Sequence, residues 1–438
     1  MKSSKQVNIK KYYKKRSKSG GEVIGSGGYG CVFKPALRCK DSTFRSSGIS
    51  KLLKYKDAED EWKEINNVKN IIIKIANYEK YFLLDNIEKC IPNTLTYDDV
   101  ININQCENLL NNINIDTINS NLENLQIINM PFGGDDLDKV IKGGTIKLEN
   151  INNILINLLK NAIIPMNKLG LYHCDLKSNN MLYYNNQIKI IDWGLSGLIY
   201  SNETIPDSFK NYKIQFNTPF SRILFNSYFD KFFNEYFSTR PDLHEKNKNI
   251  DSELKIFLLS YYNNWVKVSG GSGHEQYINE YILPEFYLLS NNIYPKTENL
   301  TAILFSTYCS KILLKYTDFN RKIFKKELYF NEVYIKNIDI WGFISTYLSF
   351  IRSNKYSLNE RKKLANIIMK YCYLDNYSDK PINVNELIKD LKNVSYKVSV
   401  KREKKLTKER KTRKSKIKKT RKSKIKKTRK SKIKKKRL

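Results

Sequence analysis

The sequence predicts an α+β chain, with short strands in its first third and helices over most of the remainder. Three observations predict it. Residues 24–33 place two short strand patterns around a group of glycines. Residues 181–190 alternate apolar and polar side chains about an Asn185-Asn186 turn, which is a hairpin signal. In residues 149–168, Ile154, Leu155, Leu158 and Leu159 recur at helical spacing.

Residues 1–20 form a basic arm, Lys10-Lys11-Tyr12-Tyr13-Lys14-Lys15-Arg16 at its centre, with too little apolar surface to fold alone. Next comes Gly25-x-Gly27-x-x-Gly30-x-Val32. Glycines at such a turn let backbone amides approach a phosphate closely. A strand follows these glycines where a dinucleotide fold would have a helix. Gly48 to Leu53 is strand-like and carries Lys51, with Lys54 as its competitor. A helix is expected from an Asp57 cap to Ile72, with Ile65, Val68 and Ile72 as its apolar stripe. At 100° per residue, Glu61 projects within that stripe, Glu64 at its edge and Glu59 opposite. A carboxylate inside an apolar stripe needs a partner. Residues 85–124 are Asn-rich and carry no recognisable chemistry. A strand, 125–128, leads into Asn129-Met130-Pro131-Phe132-Gly133-Gly134-Asp135.

The hairpin at 181–190 is bracketed by polar groups. His173-Cys174-Asp175-Leu176-Lys177-Ser178-Asn179-Asn180 precedes it, and Asp192-Trp193-Gly194 follows. One carboxylate suits proton acceptance; the other, with the Asn180 amide, offers hard oxygen ligands of the kind Mg²⁺ takes. The pattern His-x-Asp-Leu-Lys-x-x-Asn followed by Asp-x-Gly resembles the catalytic loop and metal motif of the protein kinases. The resemblance extends over residues 21–395 and looks closest to kinases of large AT-rich DNA viruses. The heavy use of Asn, Ile, Lys and Tyr agrees with an AT-rich genome.

What the resemblance implies is specific. The fold would be bilobed: a small β-rich lobe (21–129), a hinge (130–134) and a mostly helical lobe (135–395) interrupted by an insertion at about 226–330. ATP and Mg²⁺ would be the cofactors. Ile24, Gly25, Gly27, Gly28, Gly30, Val32 and Leu182 would enclose the nucleotide. Lys51 would hold its phosphates and pair with Glu61, Glu64 remaining open as the partner. Ile128 would be the gatekeeper, Met130 to Phe132 would read adenine, and Asp135 would meet the ribose. Asn180 and Asp192 would ligate metal, Asp175 would be the base, and Lys177 would neutralise the γ-phosphoryl group. Thr218, in Asn217-Thr218-Pro219-Phe220, would sit where a protein Ser or Thr is received.

The chain departs from the family at two places. Ile223-Leu224-Phe225 replaces Ala-Pro-Glu, so the usual buried Glu–Arg pair is not expected. Cys174 replaces the arginine before Asp175, so switching by an activation-segment phosphate is not expected either. Asn337-Ile338-Asp339-Ile340-Trp341-Gly342 resembles the family's later buried-aspartate helix. In the insertion, Ser269-Gly270-Gly271-Ser272-Gly273 is expected to be a flexible linker, with a second phosphate loop as the alternative and His274 as a surface histidine.

Net charge is +34, and it is uneven: residues 401–438 hold 24 basic and 2 acidic side chains. Within them Lys-Thr-Arg-Lys-Ser-Lys-Ile-Lys occurs three times in succession from Lys411. One isoleucine per repeat builds no core, so residues 396–438 are expected to be disordered and to contact nucleic acid or another polyanion. No run of eighteen apolar residues exists, so no membrane span is expected. The polar start of the chain gives no signal-peptide pattern. The seven cysteines suggest neither a disulfide framework nor a zinc site, and so a reducing compartment. Together with the viral resemblance this implies the cytoplasm or nucleus of a host cell, or a virion. A pseudokinase scaffold, a small-molecule or lipid phosphotransferase, and a nucleic-acid compacting protein are the competing functions.

Overall fold

Strands lie where the apolar alternation puts them. In a computed structural model, β1 (Glu22–Ser26), β2 (Gly30–Lys34), β3 (Ile49–Lys54), β4 (Glu88–Cys90) and β5 (Leu125–Met130) form one antiparallel sheet in the order β1-β2-β3-β5-β4. The structure describes residues 21–26, 30–41, 47–100, 103–106, 117–200, 204–240, 249–292, 294–295 and 299–394. Gly27, Gly28, the basic arm and the repeat tail lie outside them.

Because side chains alternate across a strand, the sheet has two different faces. Cys31, Phe33, Leu52, Leu125 and Ile127 face a core completed by Leu95, Val100, Ile103, Cys106 and Ile118. The described residues of the Asn-rich stretch therefore have a structural role, which is to cover this face of the sheet. Two disulfides fasten it there, Cys31–Cys106 and Cys39–Cys90. This corrects the expectation of no disulfide framework. The partners are 75 and 51 residues apart in sequence, so local spacing carries no trace of the pairing. Cysteine spacing then gives no ground for a reducing compartment.

The chain divides into two units, 1–137 with 161–175 and 179–199, and 138–160 with 176–178 and 200–438. The division differs from the expected boundaries, because the hairpin at 181–190 falls with the sheet. Its strands, β8 (Met181–Tyr184) and β9 (Gln187–Ile190), join β6 (Asp135–Asp136) in a second sheet. Ile190 also bonds through its backbone to Tyr81 and Leu83, which fastens the hairpin to the first unit. A short ladder of β7 (Leu171–Tyr172) with β10 (Gly197–Leu198) completes that unit. Its helix α1 runs Tyr55–Ile72 and buries Ala58, Ile65, Val68 and Ile72. The helix is capped at Lys54, three residues before the expected Asp57 cap, and Lys54 makes no side-chain cap bond.

The second unit is mainly helical. Its longer helices are Ser227–Ser238, Ile250–Val268, Leu283–Ser290, Leu300–Tyr316, Ile335–Ser345 and Leu358–Ile368, and in it the Phe220 ring lies within 6.0 Å of those of Tyr308, Trp341 and Tyr373, centroid to centroid. The expected insertion is thus part of one packed unit. Ser269–Gly273 is a tight turn between two of its helices, not a linker: Lys213 Nζ donates to Gly270 O at 3.0 Å, and the His274 amide donates to Ile214 O at 2.8 Å. Among the described residues no helix is long and apolar enough to cross a membrane.

Candidate active site

A cavity of about 470 Å³ opens in the first unit, on the opposite face of the sheet from the disulfide-bearing core. Each element delivers its lining by its own periodicity. Val32, Ile49 and Lys51 come from β2 and β3, Met130 from the end of β5, and Leu182 from β8. Ile191, Asp192, Trp193 and Gly194 come from the segment after β9. From α1 come Asp57, Asp60, Glu61 and Glu64. Their spacing of three and four residues places all four acids on one helix face.

Lys51 stands opposite Val32 on one side and Ile128 on the other in the strand register. Its Nζ lies 2.5 Å from Glu61 Oε2, with both side chains about a quarter exposed. Between the two candidate partners of Lys51, the salt bridge goes to Glu61. Glu64 also faces the cavity. Burial pushes its carboxyl above the usual range, the negative charges of Glu61, Asp192 and Asp60 push it further, and Lys51 opposes them. Its place on the acid face of α1 was readable from helical spacing; Asp57 and Asp60, which share that face, needed the same reading.

The loop before β8 is held from both ends. The Asn180 amide Nδ2 donates to both the backbone O and the carboxylate Oδ2 of Asp175, each at 2.9 Å. Its side-chain nitrogen is thereby committed to Asp175, which orients the amide oxygen away from it. His173 is fully buried. Its Nδ1 accepts from the Asp175 amide at 3.3 Å and its Nε2 donates to Ile191 O at 3.0 Å, which defines the Nε2–H tautomer. The Ile191 amide donates to Asn180 O at 3.1 Å. Ile191, one residue before Asp192, is therefore bonded on both sides to the loop that carries Asp175 and Asn180. Cys174 and Asp192 have φ of 63° and 70°, left-handed values unusual for residues with a Cβ. Trp193 packs on His173 and Phe82, with centroids 4.9 and 5.8 Å away.

The remaining expected residues fall in varied places. Gly30 faces the sheet: a Cβ there would lie 2.4 Å from Leu52 O, so close strand packing alone requires glycine. Ile24 is exposed, and Gly25 lies in β1 beside a register shift. Ile128 is fully buried beside Lys51 and does not line the cavity. Phe132 is covered by Lys34, whose Nζ lies 3.1 Å from the ring centroid, and by Tyr184. Asp135 is exposed on β6. Lys177 and Thr218 belong to the second unit, where Lys177 is half-buried and Thr218 is 1% exposed.

The donor set fits a Mg²⁺–nucleotide in kind. A carboxylate at Asp192 and an amide oxygen at Asn180 are hard oxygens. An ammonium steadied by a carboxylate suits phosphate, and apolar residues from β2, β5 and β8 give a planar base something to lie against. The described residues contain no group of three or more His, Cys, Asp or Glu arranged to hold a metal by themselves.

Comparison with known proteins agrees with this geometry. Residues 19–216 match the protein kinase domain family. The chain is also similar to the serine/threonine-protein kinase MPS1 of Encephalitozoon cuniculi, at 30% identity over 78 residues. That similarity spans 17% of this chain and 13% of the relative. The family match ends before the helices that make up most of the second unit. Residues 19–216, a little under half of the chain, thus form a stretch of the protein kinase superfamily.

Proposed function

We propose that this chain transfers the γ-phosphoryl group of ATP to Ser or Thr hydroxyls of proteins, in a Mg²⁺-dependent reaction. The observation that carries the reading is the double bonding of Ile191 to the Asp175–Asn180 loop, next to a cavity that holds Asp192 and the Lys51–Glu61 pair. Glu61 keeps the Lys51 ammonium pointed into the cavity, where it meets the α and β phosphates. Asn180 fixes the Asp175 carboxylate, which accepts the proton of the attacking hydroxyl. The acceptor oxygen bonds to the γ-phosphorus as the bond to the β,γ-bridging oxygen breaks, and ADP leaves. Asp192 and Asn180 would hold Mg²⁺, which would neutralise charge on the phosphates. Lys177 offsets charge on the transferring group. Positioning and charge stabilisation account for most of the rate gain in such transfers. The Leu176-Lys177 pair after Asp175, with Thr218-Pro219, favours Ser or Thr in a protein over a small-molecule acceptor. The polybasic residues 401–438 add a contact for nucleic acid or another polyanion.

The test uses the full chain, radiolabelled ATP, Mg²⁺, and casein, histone and free inositol as acceptors. Label on Ser or Thr of the proteins is the expected result. Label only on inositol, or none on any acceptor with nucleotide bound, overturns the reading.

A further inference from the structure

Residues 207–226 of the second unit contain the segment in which a protein acceptor would be received, and they are held in an unusual way. Three alternate carbonyls point into the helical part of that unit. Tyr212 O accepts from Trp265 Nε1 at 3.2 Å, Ile214 O from the His274 amide at 2.8 Å, and Phe216 O from Trp341 Nε1 at 3.0 Å. The period of two is that of an extended chain, whose carbonyls alternate sides. Gly273 makes the middle contact feasible: its φ is +60°, and a Cβ would lie 2.3 Å from Ile214 O. The Phe216 ring packs against His274 and Tyr277, at 5.2 and 5.3 Å. Asn217 Nδ2 then reaches Leu176 O at 3.3 Å.

Arg222, only 2% exposed, packs onto the same segment. Its guanidinium carbon lies 3.3 Å from the Tyr212 ring centroid and 5.9 Å from that of Phe209, and its Nη1 donates to Gln215 Oε1 at 2.9 Å. No carboxylate of the described residues pairs with it, and Nε has no hydrogen-bond partner. A buried cation is costly unless its surroundings replace water. Here an aromatic face and one amide oxygen do so, and both come from the segment itself.

We propose that Arg222 is the positioning residue of the acceptor segment, clamping Tyr212 to Thr218 against the turn Ser269–Gly273 without any phosphate. This inference rests on the kinase reading and names the internal device that presets its acceptor site. Removing the stack frees Tyr212 and Gln215 together, and with them the stretch whose carbonyls make the three bonds.

The test compares full-length wild type with Arg222→Lys, which keeps the charge but loses the planar stack and the fork. Acceptor KM toward casein or histone should rise by about tenfold, the loss expected of a desolvated cation–π contact. The KM for ATP should stay within about twofold, since the nucleotide cavity is untouched. Amide exchange over 207–219 should accelerate while β3 and α1 stay unchanged. Should Arg222→Lys fail to fold, Tyr212→Leu removes the same stack from the other side. Unchanged acceptor KM and unchanged exchange overturn the clamp. Equal rises in the KM of acceptor and ATP also overturn it, because they mark general loosening. If wild type phosphorylates no acceptor, the kinase reading fails while the clamp is still decided by exchange alone: faster exchange confined to 207–219 in the variant supports it, and no change overturns it.

Discussion

Glu61 and Glu64 stand three residues apart on one face of α1 and meet different fields. Glu61 takes the Lys51 ammonium. Glu64 is left with burial and the charges of Glu61, Asp192 and Asp60, and its carboxyl is raised from 4.5. A carboxyl raised by folding gives up stability when it ionises. Its penalty is absent below the ordinary carboxylate range and grows as pH rises through the raised folded value. Glu64→Gln should therefore raise the thermal midpoint at about pH 8 and leave it nearly unchanged at about pH 4. Melts across that range check this, and an equal gain at both ends would exclude charge as the cause. Asp175 gives the sharper catalytic test. Asp175→Asn keeps an oxygen for Asn180 but cannot accept a proton, so turnover should fall by about 10²–10⁴ while nucleotide affinity stays near wild type. Asp192→Asn should instead weaken Mg²⁺-dependent nucleotide binding, measured by titration with and without the metal. Turnover of Asp175→Asn equal to wild type would remove Asp175 as the base.

Elements show how far a sequence can be read and where reading stops. The Glu61 side of α1 followed from a 100° rotation per residue and the Ile65, Val68, Ile72 stripe, because helical geometry is local. The 181–190 hairpin was equally local, its Asn185 and Asn186 both taking positive φ as such a turn requires. The cysteine pairs were not legible, since they depend on how Leu95, Val100, Ile103, Cys106 and Ile118 pack on the sheet. Nor was Arg222, whose partners are aromatics that only tertiary packing identifies. Each disulfide closes a long loop, Cys31–Cys106 the longer. Cys31→Ser with Cys106→Ser should cost about 2–4 kcal/mol of stability, as should reduction of the other bridge. Denaturant melts with and without a reductant measure it. Coincident curves would mean that the bridges do not tie the sheet. The acceptor segment makes a second prediction at this scale. With Cys174 in place of a phosphate-gripping arginine, phosphatase-treated protein should keep its activity. A large loss of rate, restored on rephosphorylation between Leu195 and Asn217, would contradict it.

At the scale of the whole molecule, charge separates from fold. Residues 401–438 carry 24 of the 78 basic side chains and only 2 acidic ones, without an aromatic among them. Without aromatics the segment has no platform on which bases could stack, so contact with phosphates is the available chemistry. Each phosphate neutralised on duplex DNA releases counterions, and log affinity should fall against log salt with a slope of about −0.9 per contact. All of the candidate catalytic residues lie upstream, so a 1–400 truncation should still phosphorylate a small peptide. The repeated Thr412 and Ser415 sit among bases, and a phosphate on either would cancel about two charges and weaken the contact. Binding of the full chain and of the truncation to duplex DNA, each over a salt series, decides the matter. The full chain should bind more tightly at low salt and lose affinity more steeply. Equal affinity and equal slope for the two would place the polyanion contact elsewhere on the protein.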